Sequence, residues 1–260
     1  MVVINVINAI GIYALNVTEK LGRFAIFLGK TIRVLFTTRL KLHKTFVQAN
    51  SIGLESFTIA VLTGSFAGMV FALQSYIGFE RVGGVQFIGA VVAQAMLREL
   101  GPVMTGLMVT ARAGSAITAE IGTMRITEQI DALKTLRINV YQYLVIPRIL
   151  AGTFILPFLT SFAMICGIIG GYIVCTYVLQ LSPDDYLNSI KTYVQWQDIQ
   201  GGLIKSAAFG FILTWVGTYK GFYTRGGARG VGKATTQSVV TSSIMILMAN
   251  YFLTKLLERL

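Results

Sequence analysis

Residues 56–79 read SFTIAVLTGSFAGMVFALQSYIGF, a run of 24 residues without a charged side chain. An α-helix needs about 20 apolar residues to cross the hydrocarbon core of a bilayer. Four further apolar runs follow, at residues 82–111, 149–183, 199–219 and 234–254. The sequence therefore predicts an all-α integral membrane protein with about five transmembrane helices. The third run is longer than one span needs, so we expect one helix, bent near Pro157, followed by an extra turn or a short helix.

The composition supports the same fold class. Of the 260 residues, 54% are hydrophobic and 13% are charged, about half of the ~25% charged residues in a soluble domain. This balance excludes a disordered chain and argues against a water-soluble globule. Because no long polar or repetitive linker divides the chain, we predict one membrane domain over residues 1–260. An interfacial helical region at 1–50 precedes a five-span core at 51–260.

Positive charges are distributed unevenly between the two sides of the predicted bundle. The chain has 22 lysines and arginines against 11 acidic residues, and 16 of the cations lie in residues 1–44, 112–148 and 220–233. Such cations are enriched on the cytoplasmic side of membrane proteins. We therefore expect a cytoplasmic N-terminus (stromal in a plastid) and a C-terminus on the opposite side. The four cations expected on that opposite side are Arg81, Lys191, Lys255 and Arg259.

The segment from Lys20 onward has two chemically different faces. At 100° per residue, its cations fall within an arc of roughly 140° and its apolar residues take the other side. This pattern predicts an amphipathic helix lying in the membrane interface, although binding to a partner helix would produce the same pattern. The cations are Lys20, Arg23, Lys30 and Arg33, and the apolar residues are Leu21, Phe24, Leu28, Ile32, Leu35 and Phe36.

The sequence offers little material for catalysis or metal binding. Cys166 and Cys175 lie within an apolar run, and the single histidine, His43, lies in a basic segment, so we predict no catalytic residue and no metal site. Residues 227–234, GARGVGKA, fit a phosphate loop until Ala234 takes the place of the magnesium-binding hydroxyl. We expect a flexible turn there, and no ATP hydrolysis by this chain. The cations occur in bands between apolar runs, which argues against nucleic acid as a partner.

Three charged residues fall inside predicted spans. Placing a charge at the middle of a bilayer costs about 2.5–3.5 kcal/mol, so Arg98, Glu99 and Lys205 should face a cavity or a partner. In one interpretation they line a polar path, where Arg98 or Lys205 contacts an anionic headgroup. In the other, Glu99 and Lys205 form an ion pair that only fixes helix packing.

The segment after the second predicted span combines charge with an apolar stripe. Ile126, Ile130, Leu133 and Arg137 recur at helical spacing, which predicts one short amphipathic helix. Such a helix can dock into a cytoplasmic partner, or it can rest on the membrane surface. Small residues at Gly64 and Gly68, and again at Gly167 and Gly171, permit close helix contacts.

Four motifs in the sequence resemble those of one transporter family. They are LRELGPV at residues 97–103, ARAGSA at 111–116, AEIGTMRITEQ at 119–129 and GVGKATT at 230–236. In these residues the chain resembles the MlaE family of ABC-transporter permeases, from about residue 50 to the end.

The resemblance implies a homodimer that moves phospholipids or related lipids between the membrane and an MCE-type lipid-binding protein. Two cytoplasmic ATPase subunits would bind ATP and magnesium, and this chain would carry no cofactor. It also implies a bacterial inner membrane, or a plastid inner envelope. The implied lipid-pathway residues are Arg98, Glu99, Lys205, Gln74 and Tyr76. The implied ATPase-coupling residues, in a coupling helix between spans 2 and 3, are Glu120, Thr123, Arg125 and Glu128.

Two other functions are compatible with the residues. A secondary transporter or channel could use Arg98, Glu99 and Lys205 as an intramembrane relay, but such folds commonly show an inverted repeat, which we do not find. A structural membrane anchor for other subunits is the third interpretation.

Overall fold

The computed structural model describes residues 2–38, 40–81 and 83–257, and these residues form helices and turns without any strand. Arg39 and Arg259, which enter the charge count, and Val82 lie outside the described residues, as do the side chains of Lys20 and Leu21. The eight helical elements are α1 (Val2–Thr37), α2 (Leu42–Glu80), α3 (Val85–Ile126), α4 (Gln129–Thr135), α5 (Tyr141–Val178), α6 (Pro183–Tyr193), α7 (Trp196–Phe222) and α8 (Gly227–Leu257).

Five of these helices, α2, α3, α5, α7 and α8, are long and apolar enough to span a membrane. The predicted number of spans is therefore confirmed. Each helix extends beyond its apolar run at one end or both, because helical hydrogen bonding continues into the polar layer. Most of the third run lies in α5, which contains Pro157, and the run ends at Pro183, the first residue of the short helix α6. The predicted short helix therefore follows the run instead of lying within it.

The alternation of helices defines two ends of the bundle. We call the "basic end" the one formed by residues 41–48, 120–148 and 220–233, where α2, α5 and α8 begin and α3 and α7 end. The opposite end carries residues 80–88, α6 and the start of α7. The sequence-based assignment of the basic end to the cytoplasm stays a prediction.

α2 and α5 pack closely through the small residues that the sequence singled out. A Cβ atom placed on Gly64 would lie 2.8 Å from the Cα atom of Ala163, and one on Gly68 would lie 2.7 Å from the Cα atom of Gly167. Real Cβ atoms do not approach backbone this closely, so only glycine permits this helix spacing. The two small-residue motifs therefore face each other across one interface.

α7 lies at the centre of the bundle. Phe209, Leu213 and Val216 are fully buried and belong to one apolar core with Leu156 of α5 and Val109 of α3. In contrast, α8 is the least buried of the five spans. Its exposed apolar residues include Val240, Ile244, Leu247, Met248 and Tyr251.

α1 is one helix that begins well before Lys20, and part of its apolar face packs on protein. The Phe24 ring stacks on Trp215 at 4.1 Å between centroids. Phe27 is fully buried, with Tyr219 and Tyr141 at 5.5 and 5.4 Å. Phe36 stays 83% exposed. The partner helix that the sequence left open is thus α7 of the same chain for Phe24 and Phe27, while Phe36 retains the exposure expected of an interfacial residue.

Two local predictions were wrong. The stripe from Ile126 to Arg137 does not form one helix, because Glu128 adopts a left-handed conformation (φ 60°) that ends α3 and starts α4. Residues 227–234 are not a flexible turn but the first turns of α8. The turn lies just before them, where Gly226 has a φ of 92° that glycine tolerates without strain.

We expect Gly68→Ala to lower the free energy of unfolding by about 1–3 kcal/mol, because the new methyl group must displace the backbone at Gly167. Gly78→Ala is the matched control, since no atom lies within 4 Å of its added Cβ. In the control, the better helix propensity of alanine should stabilise by up to ~1 kcal/mol. Unfolding in sodium dodecyl sulfate titrations measures both, and equal effects would contradict the close α2–α5 contact.

Candidate functional site

Lys205 is buried within the bundle, where it bonds to two other spans. Its Nζ atom donates hydrogen bonds to the Arg98 carbonyl (2.8 Å), Glu99 Oε1 (2.6 Å) and Thr254 Oγ1 (2.7 Å). Only 3% of the Lys205 residue is exposed. An ammonium group has three protons to donate, and each has an acceptor here. The charge is therefore fully satisfied, and α3, α7 and α8 are joined at one point.

Glu99 receives hydrogen bonds on both of its carboxylate oxygens. Asn250 Nδ2 donates to Oε2 at 2.8 Å, and Thr254 Oγ1 lies 3.0 Å from Oε1. The contact with Lys205 forms the ion pair of the second interpretation. Because an ionised carboxylate only accepts hydrogen bonds, Asn250 and Thr254 complete the cluster as donors to Glu99.

A π-helical turn at Met96–Leu100 produces this geometry within α3. Such a turn inserts one residue into the α-helical ladder and often lies at a functional site. Arg98 and Glu99 both belong to it. The Arg98 carbonyl within this turn is the one that accepts the hydrogen bond from Lys205.

Arg98 points away from this cluster. Its Nε atom lies 3.4 Å from Asp198 Oδ1, and its side chain is 49% exposed while that of Asp198 is 10% exposed. Asp198 is already held in place, because its Oδ2 accepts a hydrogen bond from the Gln195 backbone N–H at the start of α7 (2.9 Å). Arg98 thus keeps guanidinium donors available for a ligand.

A polar cavity of about 340 Å³ surrounds these groups near the opposite end of the bundle. Its walls include Gln94, Arg98, Glu99, Asp198 and Lys205. Amide, carboxylate and guanidinium groups can orient a charged or zwitterionic headgroup. The described residues contain no group of three His, Cys, Asp or Glu side chains that could hold a metal ion.

Gln74 and Tyr76 lie elsewhere on the single chain. Gln74 is exposed on α2, and the Tyr76 hydroxyl donates to Glu80 Oε1 at 2.9 Å. The described residues that line the polar cavity include neither of them. Their predicted role in the lipid pathway stays a prediction.

The corner between α3 and α4, which we call the α3–α4 corner (residues 123–135), is braced by charge. Arg125 Nη1 contacts both Asp131 oxygens at 2.8 Å, and Lys134 Nζ lies 2.8 Å from Oδ1. Lys134 and then Arg125 lower the pKa of Asp131, so the brace persists at neutral pH and weakens only when acid protonates this carboxylate. Thr123 and Glu128 stay exposed on the corner.

Glu120 has a different surrounding from the other predicted coupling residues. Its Oε1 lies 2.6 Å from Nη2 of Arg148, whose side chain is 4% exposed. This ion pair joins the end of α3 to the start of α5. The Glu120 side chain is 52% exposed, so it lies on the surface like Thr123 and Glu128, but the ion pair fixes it to α5.

Sequence reasoning missed four residues of these clusters: Asp198, Asn250, Thr254 and Arg148. Asp198 and Arg148 were counted only as charges at the ends of spans. Asn250 and Thr254 lie four residues apart in the last span, and this polar pair at helical spacing was the signal available for them.

Known proteins are similar to this chain along most of its length. A family model described as Permease MlaE matches residues 45–256. A probable ABC transporter permease protein of Rickettsia bellii is 42% identical over 253 residues, which cover 97% of this chain and 98% of the relative. The intermembrane phospholipid transport system permease protein MlaE of Haemophilus influenzae is 33% identical over 262 residues, with 98% of each chain covered.

A plant protein is also similar. The chloroplastic protein TRIGALACTOSYLDIACYLGLYCEROL 1 of Arabidopsis thaliana is 35% identical over 228 residues, which cover 88% of this chain and 65% of the relative. All four motifs quoted from the sequence fall within the range matched by the family model.

We expect Lys205→Met and Glu99→Gln each to destabilise the protein, because each leaves one charge of the cluster without its partner. The double variant should lose less than the sum, with a coupling energy of about 1–2 kcal/mol, moderated by the partial exposure of Glu99. Unfolding titrations of the unmodified protein, the two single variants and the double variant measure this coupling energy. Lys191→Met, which removes an exposed lysine on α6, is the control, and strict additivity would show that the ion pair contributes nothing.

Proposed function

The chain belongs to the MlaE permease family, and from this premise we propose that it is the membrane subunit of an ABC transporter for phospholipids. Partner ATPase subunits would supply the energy, and an MCE-type protein would exchange lipid at the opposite end of the bundle. The Haemophilus relative, which is named as an intermembrane phospholipid transport permease, supports this substrate class.

One observation carries the proposal: a polar cavity with a partly exposed guanidinium lies among apolar spans. Lys205 is satisfied by Glu99, so Arg98 is the cation that can contact a headgroup phosphate. Arginine binds phosphate through two parallel N–H donors, which gives strength and orientation. Asp198 sets the position of this guanidinium when no lipid is bound.

The open face of α8 supports a homodimer. Thr254 and Leu257 of α8 border the polar cavity, which the single chain encloses only partly. A second copy packed against the exposed apolar residues of α8 would close it. The acyl chains of a lipid would then lie between apolar walls, while its headgroup contacts Arg98.

α3 connects the cavity to the α3–α4 corner. Arg98 and Arg125 lie on this one helical element, about 40 Å apart at 1.5 Å per residue. We propose that ATP binding closes the ATPases against the corner and moves α3, which narrows the cavity and expels lipid. ATP hydrolysis then restores the open state. The π turns at Met96–Leu100 and Thr110–Gly114 are the points where α3 can adjust its register.

The same proposal places the protein in the bacterial inner membrane or its plastid counterpart. The basic end then faces the cytoplasm or stroma, in agreement with the distribution of lysine and arginine. The ATPases contact that end.

Arg98→Gln should reduce lipid transfer about tenfold or more in the reconstituted assembly, because the phosphate loses its charged donor. ATPase activity should persist, since the change lies far from the α3–α4 corner. Transfer of fluorescent phospholipid to the MCE-type partner is the measurement, and Lys191→Gln is the control. Unchanged transfer by Arg98→Gln would remove the headgroup role.

Glu128→Lys should weaken attachment of the ATPase subunits, because it reverses the charge on the exposed tip of the corner without altering its braces. Co-purification of the ATPase with a tagged permease measures this. Asp184→Lys reverses an exposed charge at the opposite end and should retain the ATPase. Equal recovery with both variants would contradict the coupling assignment.

A further inference from the structure

A second cavity, which we call the basic-end cavity, lies far from Arg98. It has a volume of about 360 Å³ and is formed by the start of α2, the end of α3 and the start of α5. Its polar walls include Lys44, Gln48, Tyr143 and Arg148. Apolar groups complete it, among them Val47, Met124 and Leu144.

The charge of this cavity is positive. Lys44 Nζ lies 2.9 Å from the centroid of the Tyr143 ring, and Lys41 Nζ lies 4.8 Å from it. Within the described part of the chain, neither lysine forms an ion pair with a carboxylate. Glu120 is the one acidic side chain among the described residues that line the cavity, and Arg148 already neutralises it.

Arg148, which also lines the basic-end cavity, is a buried hydrogen-bond donor. Its Nη1 atom donates to the Leu144 carbonyl at 2.8 Å, and Nη2 contacts Glu120. Its Nε–H is buried and has no acceptor among the described residues. A buried donor without an acceptor is unusual in a folded protein, so Arg148 retains hydrogen-bonding capacity that its partners within the chain do not use.

The position along the bundle is that of a lipid headgroup. Arg148 immediately precedes the long uncharged run of α5, so it lies at the edge of the hydrocarbon layer. Tyr141 and Tyr143 lie at the same end of α5, as expected of the aromatic side chains that are enriched at membrane interfaces. Phe46 and Val47, at the start of α2, expose 72% and 53% of their surface, as expected of residues in contact with lipid.

We propose that the basic-end cavity binds the phosphate headgroup of an anionic phospholipid from the leaflet at the basic end. Basic pockets between transmembrane helices on the cytoplasmic side are suited to such headgroups. Lys44, Gln48 and Arg148 supply donors, and Val47, Met124 and Leu144 contact the glycerol region. A free phosphate ion shares the charge of this ligand but leaves the apolar wall without a partner.

The site has a consequence for the rest of the chain. A bound phosphate competes with Glu120 for Arg148, and Glu120 lies on α3 just before the α3–α4 corner. Occupancy by lipid therefore alters the connection between α3 and α5. This site does not depend on the transport proposed for the polar cavity.

Native mass spectrometry of the full chain in detergent, titrated with dioleoylphosphatidylglycerol or dioleoylphosphatidylcholine, tests the proposal. We expect one site that prefers the anionic lipid. Lys44→Gln should weaken it about fivefold, the effect of one membrane-facing cation. Gln48→Glu, which has the same shape and adds a negative charge, should weaken it at least as much and covers the case in which Lys44→Gln does not fold.

Two matched variants separate this site from other lipid contacts. Lys233→Gln removes an exposed cation elsewhere at the basic end and should leave the affinity unchanged. Arg98→Gln alters the polar cavity only, so phosphatidylglycerol binding at the basic-end cavity should persist whether or not transfer fails.

Three results would overturn the proposal. The first is equal affinity for the two lipids, or no effect of Lys44→Gln and Gln48→Glu. The second is displacement of the lipid by millimolar inorganic phosphate, which would identify a site for a soluble anion. The third is loss of ATPase co-purification by Lys44→Gln with unchanged lipid binding, which would identify an acidic segment of the partner protein as the occupant.

Discussion

The hydrogen-bonded ammonium of Lys205 is the interaction on which the opposite half of the bundle depends. A lone charge in this position would be expensive in a bilayer, yet here each proton has an acceptor, from Arg98, Glu99 and Thr254. The three acceptors lie on α3 and α8, so the charge of one helix holds two others. Glu99, Lys205 and Thr254 of this cluster line the polar cavity. The Arg98 side chain takes no part in the cluster and stays partly exposed beside Asp198.

The two ends of α3 carry the two predicted sites, and their electrostatics differ. At the polar cavity, every proton of the Lys205 ammonium has an acceptor within the chain, and Asp198 orients the Arg98 side chain. At the basic end, Arg125 and Lys134 brace the corner through Asp131, while Arg148 holds Glu120 against α5. A rigid helical element with braced ends can transmit displacement, and the π turns inside it can absorb part of that displacement. This arrangement suits a passive membrane subunit that is moved by a partner.

Much of the fold and part of the site could be predicted. The five spans follow from hydrophobic length, because a bilayer sets the number of apolar residues that a helix needs. The charged residues inside spans could be recognised as important, since hydrocarbon does not solvate them. Glu99 and Lys205 could be suggested as an ion pair, but their uncharged partners Asn250 and Thr254 could not be assigned, because any polar residue of another span was a candidate. The break at Glu128 was missed because glutamate carries no preference for a left-handed conformation.

The order of apolar and basic segments thus decides that this chain crosses a membrane five times, which end collects the lysines and arginines, and which family it resembles. These properties depend on local hydrophobicity and on motifs that are continuous in the sequence. Only the packing of the helices decided that Lys205 is hydrogen-bonded within the bundle while Arg98 stays partly exposed. The same is true of the ion pair between Glu120 and Arg148. Both choices depend on which side chains from distant segments come within hydrogen-bond distance, and spacing along one helix carries no information about that.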